Sequence, residues 1–350
     1  MPEHQSNLDL PAVAELIHNT DATIFITTHT KPDGDAFGSV VALAWALQKM
    51  GKQTFACFAP PVAASLQDLN GHGLTHTLHD GLVIPECALY IVVDTGAWSQ
   101  VEPVRKTLEP NLARTLIIDH HLSGDIDAAH KYIDAKAGAC AEIIAELLDL
   151  LDGAGSNSGG DKSRGWDATI AQALFAGIGT DTGWFRFSNT RPQTHRLAAR
   201  LLELGVDHTD LYARLEQSAR PQHISLVQRA MDSLVMDQEC RVAVMQITAR
   251  DFVETKAEVD DVGRIVDLPQ VVAGVRVVAL LTPYSTQAVK VSLRSKPGPI
   301  SFNVSDLATH MGGGGHMHAA SFRMDTDEHT AKQLVLSMVS QWVADATHSP

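Results

Sequence analysis

Thr115-Leu116-Ile117-Ile118-Asp119-His120-His121 is an apolar run that ends abruptly in a carboxylate and two imidazoles. The run reads as a buried strand, and the triplet at its end would be costly to desolvate without partners. Three other places have a similar composition. Residues 22–28 lead into His29-Thr30-Lys31-Pro32-Asp33-Gly34-Asp35, residues 88–93 lead into Asp94, and Asp181 lies within Gly179-Thr180-Asp181-Thr182-Gly183. In open α/β sheets, ligands bind in the crevice beyond the carboxyl ends of the strands, so these clusters read as parts of one site.

Around them, β-rich runs alternate with amphipathic segments, the pattern of strand and crossover helix. The spacing predicts strands at 22–28, 54–58, 88–93 and 115–118, and helices at 38–50, 139–151 and 167–178. The fold class expected is α/β, with a doubly wound, mainly parallel sheet in the N-terminal domain. Residues 152–165, rich in Gly, Ser, Asp and Asn, read as a mobile surface loop that interrupts this domain. Asp181 lies beyond the loop and must return to the site, so the first domain is expected over 1–190. Helical stretches at 193–204, 209–217 and 222–236 suggest a helical linker over 191–222. A smaller, mixed α/β domain over 223–350 follows, with strands at 241–248, 271–281, 288–294 and 319–324 and a closing helix at 328–344.

With 350 residues, 45% hydrophobic and 19% charged, the chain has the composition of a two-domain globular protein. Its four cysteines, Cys57, Cys87, Cys140 and Cys240, have no C-x-x-C spacing, which argues against a zinc knuckle or a disulfide framework. The first ten residues lack a basic segment followed by an apolar core, and no uninterrupted apolar stretch approaches eighteen residues. A cytoplasmic protein without a membrane partner is expected. The formal net charge of −14 disfavours tracking a long phosphate backbone, so any nucleic-acid substrate should be short.

Each cluster has an ordinary reading beside the metal one. His29 to Asp35 could be an Asx turn capping the helix that starts near Ala36, Asp94 a turn residue, and the histidine pair satisfied without a metal. Four such clusters at once favour a metal centre. Carboxylates and imidazoles without thiolate suit two divalent ions, manganese ahead of magnesium, cobalt or iron. Two ions roughly 3.5–4 Å apart would activate a water and clamp the attacking and leaving oxygens.

These motifs resemble the DHH phosphoesterase superfamily, and the triplet at Asp119 to His121 matches its name. Gly312-Gly313-Gly314-Gly315-His316 with Ala319-Ala320 is similar to the glycine-rich signature of the DHH-associated domain. The resemblance, from about Ala22 to Trp342, implies that His29, Asp33 and Asp94 hold one ion. Asp35, Asp94, His120 and Asp181 would hold the other, with Asp94 as the bridge. It implies a catalytic pair in which His121 lies beside the substrate phosphate and Asp119 orients its neighbours. The second domain would bind substrate through Arg294, Ser295, His316 and the backbone of Gly313, Gly314 and Gly315. Two positions depart from the pattern: Cys140 stands before Ala141-Glu142 in place of Ser or Thr, and Ser321 in place of glycine. Cys140 near a helix start could have thiolate character, although a small inert core residue is the plainer reading.

The expected activity is that of a nanoRNase and pAp phosphatase: hydrolysis of short oligonucleotides to mononucleotides and of pAp to AMP and phosphate. Domain closure about 191–222 would favour two to four nucleotides. The alternatives are a cyclic di-AMP or pApA phosphodiesterase, a family-II-like pyrophosphatase, and a nucleotide-binding regulator without turnover. RNA-over-DNA preference and cleavage polarity are not legible. The apolar face of 10–17 offers a surface for a homodimer, though covering the chain's own sheet is its commoner use.

Overall fold

The computed structural model describes residues 4–69, 73–153, 165–237, 239, 241–296, 298 and 301–348. Most of the expected mobile loop, 154–164, lies outside the described residues. The chain divides into two compact units, Met1–Ser218 and Ala219–Pro350.

In the first unit the strands are β1 (Ile24–Thr27), β2 (Thr54–Phe58), β3 (Thr75–Thr77), β4 (Leu89–Val93), β5 (Thr115–Asp119) and β6 (His130–Ile133). The helices are α1 (Leu10–His18), α2 (Gly34–Lys49), α3 (Ala64–Gln67), α4 (Arg105–Leu108), α5 (Cys140–Gly153), α6 (Ala168–Asp181), α7 (Pro192–Glu203) and α8 (His208–Glu216). Every strand pairing is parallel, in the order β3-β2-β1-β4-β5-β6. The chain builds outward from β1 in one direction, then returns to build outward from β4 in the other. The loops after β1 and β4 therefore part company and leave a crevice at the point of reversal.

Strand residues alternate between two cores, as a sheet covered on both faces requires. Ile24, Ile26, Leu89, Ile91, Leu116 and Ile118 pack with α1, α2, α5 and α6, whereas Phe25, Tyr90, Val92 and Ile117 pack on the other face with Val101, Val104 and Leu108. The α1 face, with Val13 and Ile17 fully buried, covers the chain's own core. Helices α2 and α6 approach so closely that a Cβ on Gly38 would lie 2.2 Å from the Ala173 carbonyl oxygen. The expected linker also joins this unit, since Leu201 of α7 and Leu211 of α8 are fully buried in the same core.

The second unit contains α9 (Pro221–Asp232), β7 (Val235–Met236), β8 (Val242–Gln246), α10 (Ala249–Thr255), β9 (Val277–Ser285), β10 (Ala288–Ser295), α11 (Val304–His310), β11 (Gly314–His316), β12 (Ala319–Met324) and α12 (Glu328–His348). Its sheet, β11-β12-β10-β9-β8-β7, is antiparallel except between β8 and β9. The strand expected over 271–281 starts only at Val277. Residues Ile265–Val271 wind into a 3-10 helix that buries Ile265 and Val266 and leaves Val271 88% exposed. Among the described residues, no helix is long and apolar enough to cross a membrane.

Candidate metal centre

The first cluster leaves β1 and turns directly into α2. Asp33 is the N-cap, with Oδ1 accepting from the Asp35 and Ala36 amides at 3.0 Å each, so the Asx turn weighed as the ordinary reading is present. The same Oδ1 lies 3.9 Å from His29 Nε2, so capping and proximity to the imidazole coexist. The cap starts the helix at Gly34, earlier than the apolar periodicity suggests, and carries Asp35 into the first turn. Asp35 is completely buried, and its oxygens accept from the Cys140 and Ala141 amides at 2.6 and 2.8 Å. The carboxylate thus meets the positive N-terminus of α5, which favours its charge, but burial and the neighbouring Asp94 and Asp181 prevail and raise its pKa well above the ordinary carboxylate value.

Asp94 follows β4 in left-handed conformation, with φ of 61°, a strained backbone for a non-glycine residue. The turn aims its two oxygens at different imidazoles. Oδ2 lies 3.5 Å from His29 Nε2, and Oδ1 lies 3.2 Å from His120 Nε2. His29 Nδ1 contacts the Thr30 carbonyl at 2.9 Å and His120 Nδ1 the Ala137 carbonyl at 3.3 Å. A carbonyl can only accept, so each Nδ1 carries the hydrogen and each Nε2 presents a lone pair or a competing proton to the carboxylates. Asp35 and Asp181 complete the His120 group, each with an oxygen 3.8 Å from its Nε2.

Ligand-bearing atoms therefore gather in overlapping sets: His29, Asp33 and Asp94; Asp35, His120 and Asp181; and Asp94, His120 and His121, with the atoms of each set within 4.8 Å of one another. The electrostatics suit cations. Burial opposes a charged imidazole, but Asp94 prevails and pushes His29 up to about 9. The same contest at His120, with Asp94, Asp35 and Asp181 against burial, ends at about 10. Burial, with Asp94 adding to it and His120 partly offsetting it, pushes Asp181 up to about 7. Asp181 ends α6, where the helix dipole also disfavours a carboxylate. Among the described residues, Asp94 Oδ1 and His120 Nε2 are buried without a hydrogen-bond partner despite their proximity. Divalent ions would replace the shared protons and satisfy both orphaned atoms, so the donor set fits metal.

Asp119 faces inward. Its Oδ1 accepts from the His120 amide (2.8 Å), the His121 amide (3.1 Å) and His121 Nδ1 (2.7 Å), and its Oδ2 from His4 Nε2 (2.9 Å). Burial works against ionisation, yet the bonds from His121 and His4 hold its carboxyl below the usual carboxylate range. Its oxygens are committed within the protein, whereas His121, 31% exposed, stands 3.8 Å from Asp94.

Sequence reasoning missed His4, which no local pattern marks and whose partner is 115 residues away. It also missed Asn189, whose amide donates to the Gly138 and Asp181 carbonyls. Glu142 anchors the neighbouring segment through Arg191 and Thr194. Cys140 is fully buried, and burial, followed by Asp94, Asp35 and Asp119, raises its thiol well above the ordinary value, consistent with the inert reading.

In the second unit, Ser295 is buried, with its hydroxyl donating to the Phe302 carbonyl at 2.6 Å and meeting His318 Nδ1 at 2.8 Å. Its side chain serves the local fold. Arg294 pairs with Asp267 at 3.3 Å and remains 32% exposed. In the glycine run, a Cβ on Gly313 would lie 2.2 Å from the Ser321 carbonyl oxygen and one on Gly315 2.4 Å from Ala320 Cα, while Gly314 faces open space. The side chain of His316 lies outside the described residues.

The model of the DHH family, N-terminal domain, matches residues 23–178, and that of the DHHA1 domain matches residues 240–345. A bifunctional oligoribonuclease and PAP phosphatase NrnA of Thermus thermophilus is 31% identical over 309 residues, covering 88% of this chain and 86% of the relative. The chain belongs to the DHH family. As a DHH protein it is a metal-dependent hydrolase of phosphoester bonds. The enzyme of the same name from Bacillus subtilis is 27% identical, over 84% of this chain and 87% of that one. An exopolyphosphatase-related protein of Bacteroides fragilis has the same fold, with a TM-score of 0.86, 18% identity and 97% of each chain covered.

Proposed function

We propose that this DHH protein is a two-metal, manganese-dependent phosphoesterase that hydrolyses short oligonucleotides to mononucleotides and pAp to AMP and phosphate. The observation that carries the two-metal reading is Asp94, whose oxygens point separately at His29 and His120, 3.5 and 3.2 Å away. In this reading His29, Asp33 and Asp94 hold one ion, and Asp35, Asp94, His120 and Asp181 the other. Once bound, the ions supply Lewis-acid activation of water and neutralise charge on the phosphoryl oxygens. The carbonyls of Thr30 and Ala137 keep the two ligand imidazoles in the required tautomer. His121, fixed through Nδ1 by Asp119, contacts the substrate phosphate. Substrate class is suggested by the two NrnA relatives, each covered over more than four-fifths of its length.

Arg294 and the backbone around Gly314 are assigned to substrate binding, with His316 as a further contact. Ser295 organises that hairpin. The bond from the Arg294 side chain to the Leu293 carbonyl and its pairing with Asp267 hold the guanidinium in one orientation, suited to a terminal phosphate.

The test is a substrate panel with purified full-length protein and manganese: 5′-phosphorylated di-, tri- and pentanucleotides, pAp, pApA, cyclic di-AMP and pyrophosphate. Preferred hydrolysis of short oligonucleotides, with pAp also cleaved, supports the assignment. Preference for cyclic di-AMP or for pApA over other dinucleotides would redirect it to the phosphodiesterase alternative. Preference for pyrophosphate would overturn it.

A further inference from the structure

We propose that His4 is a positioning residue, delivered by the N-terminal segment to the far side of Asp119 so that Asp119 can hold the His121 imidazole in its working orientation. The role deepens, and rests on, the phosphoesterase reading. Residues 6–8, ahead of α1, run along β6, the edge strand of the first sheet. Ser6 Oγ donates to the Ile133 carbonyl at 3.0 Å and accepts from the Ile133 amide at 2.7 Å. Asn7 and Leu8 amides both donate to the Lys131 carbonyl, and the Asn7 side chain bonds the Ala129 carbonyl and the Lys131 amide. These bonds occupy an edge that would otherwise be open and fix the register of the arm. Ile133 is the cross-strand partner of Asp119, so a chain held at Ser6 brings His4 within reach of that carboxylate.

The imidazole enters a built slot. Gly96 and Gly124 pair across the loops that follow β4 and β5, and the His4 ring lies against both. A Cβ on Gly96 would be 2.1 Å from His4 Cε1, and one on Gly124 2.4 Å from His4 Nδ1. The side chain is only 3% exposed. Its Nδ1 has no hydrogen-bond partner among the described residues, so the ring's one hydrogen bond is spent on Asp119, through Nε2 at 2.9 Å. An ordinary packing histidine would gain nothing from a slot that requires two glycines and leaves one nitrogen unpaired. With His4 on Oδ2 and His121 on Oδ1, the carboxylate is clamped between two imidazoles and cannot rotate toward the cations.

The test uses His4→Ala and His4→Gln in the full chain. The Gln amide can reach Asp119 as the imidazole does, and the Ser6 to Leu8 bonds remain in both, so both should fold. The expected result for His4→Ala is a kcat reduced about tenfold, the low end of the loss seen when a supporting group behind a metal site is removed, with KM and manganese affinity within twofold of wild type. His4→Gln should recover most of the loss. In an Asp119→Asn background, His4→Ala should cost less than a further twofold, because both act through one carboxylate. An unchanged kcat in His4→Ala, or a full multiplicative loss in the double variant, would overturn the role. Independently of turnover, the His121 Nδ1 proton should be protected in the imidazole NMR spectrum of wild type and exchange faster in His4→Ala. An unchanged His121 signal would also overturn it. A wild type that hydrolyses no phosphoester would sink the functional reading, while this spectrum still decides the positioning.

Discussion

Replacing Asp94 by Asn is the sharpest perturbation the structure offers, because it keeps the side-chain shape and removes the one charge shared by both histidine groups. In the structure each Asp94 oxygen lies 3.2–3.5 Å from an imidazole nitrogen. Unit charges about 4 Å apart interact by about 4 kcal/mol at an effective dielectric constant of 20. The amide oxygen of the substituted side chain remains as a weaker donor, so about half of that, ~2 kcal/mol, is a conservative loss per site. It corresponds to affinity weakened by at least about 30-fold at each site. Asp33→Asn should weaken only the His29 site, and Asp181→Asn only the His120 site. Calorimetric titration of manganese into metal-stripped protein at pH 8 separates these patterns. If Asp94→Asn left either site at wild-type affinity, the shared-carboxylate argument would be refuted.

The proton competition at the site gives a pH signature. His29 and His120 hold their protons to about 9 and about 10 in the folded chain against 6.5 ordinarily, so their contribution to metal-free stability is complete below pH 6.5 and is lost as pH rises through those values. The rise in melting temperature produced by manganese should therefore grow between pH 6.5 and 9; a constant or shrinking rise in thermal melts contradicts this. Gly38→Ala should lower stability by about 1–3 kcal/mol, since the new methyl collides with the Ala173 carbonyl across the α2–α6 contact. An unchanged denaturation midpoint would show that the helices separate at little cost. Cys140, buried and with its thiol raised, should resist alkylation in the native protein at pH 8 and react on unfolding; labelling within minutes under native conditions, read by mass spectrometry, would refute its inertness. Arg294→Ala should raise KM several-fold with kcat within threefold in steady-state kinetics, and a fall in kcat at constant KM would assign it a different role.

The parallel sheet was legible because its central strands are short, apolar and β-branched, and because ligand residues mark their ends. Edge strands Thr75–Thr77 and His130–Ile133 were not legible, since polar residues such as the exposed His76 and the buried Lys131 break any apolar pattern. Apolar periodicity places the start of α2 four residues late, because the Asp33 cap and not the periodicity sets where the helix begins. Residues 191–222 read as a linker because their helices are polar on most of their surface, yet Leu201 and Leu211 are buried in the first core and dock α7 and α8 there. At the site, residue types at strand ends identified the cluster, and the resemblance already gave Asp119 an orienting role, but no sequence pattern could reveal the arrival of His4 from the far terminus. That contact spans 115 residues, and only the folded sheet creates it. Ser295 illustrates the converse: a hydroxyl next to a candidate phosphate ligand can equally be a buried hairpin bond.

The most direct measurement of the central claim is anomalous diffraction at the manganese edge from crystals of the full chain equilibrated with manganese. Two peaks are expected flanking the Asp94 carboxylate, one beside His29 and Asp33 and the other beside Asp35, His120 and Asp181. A single peak, or two peaks of which neither or only one contacts Asp94, would contradict it.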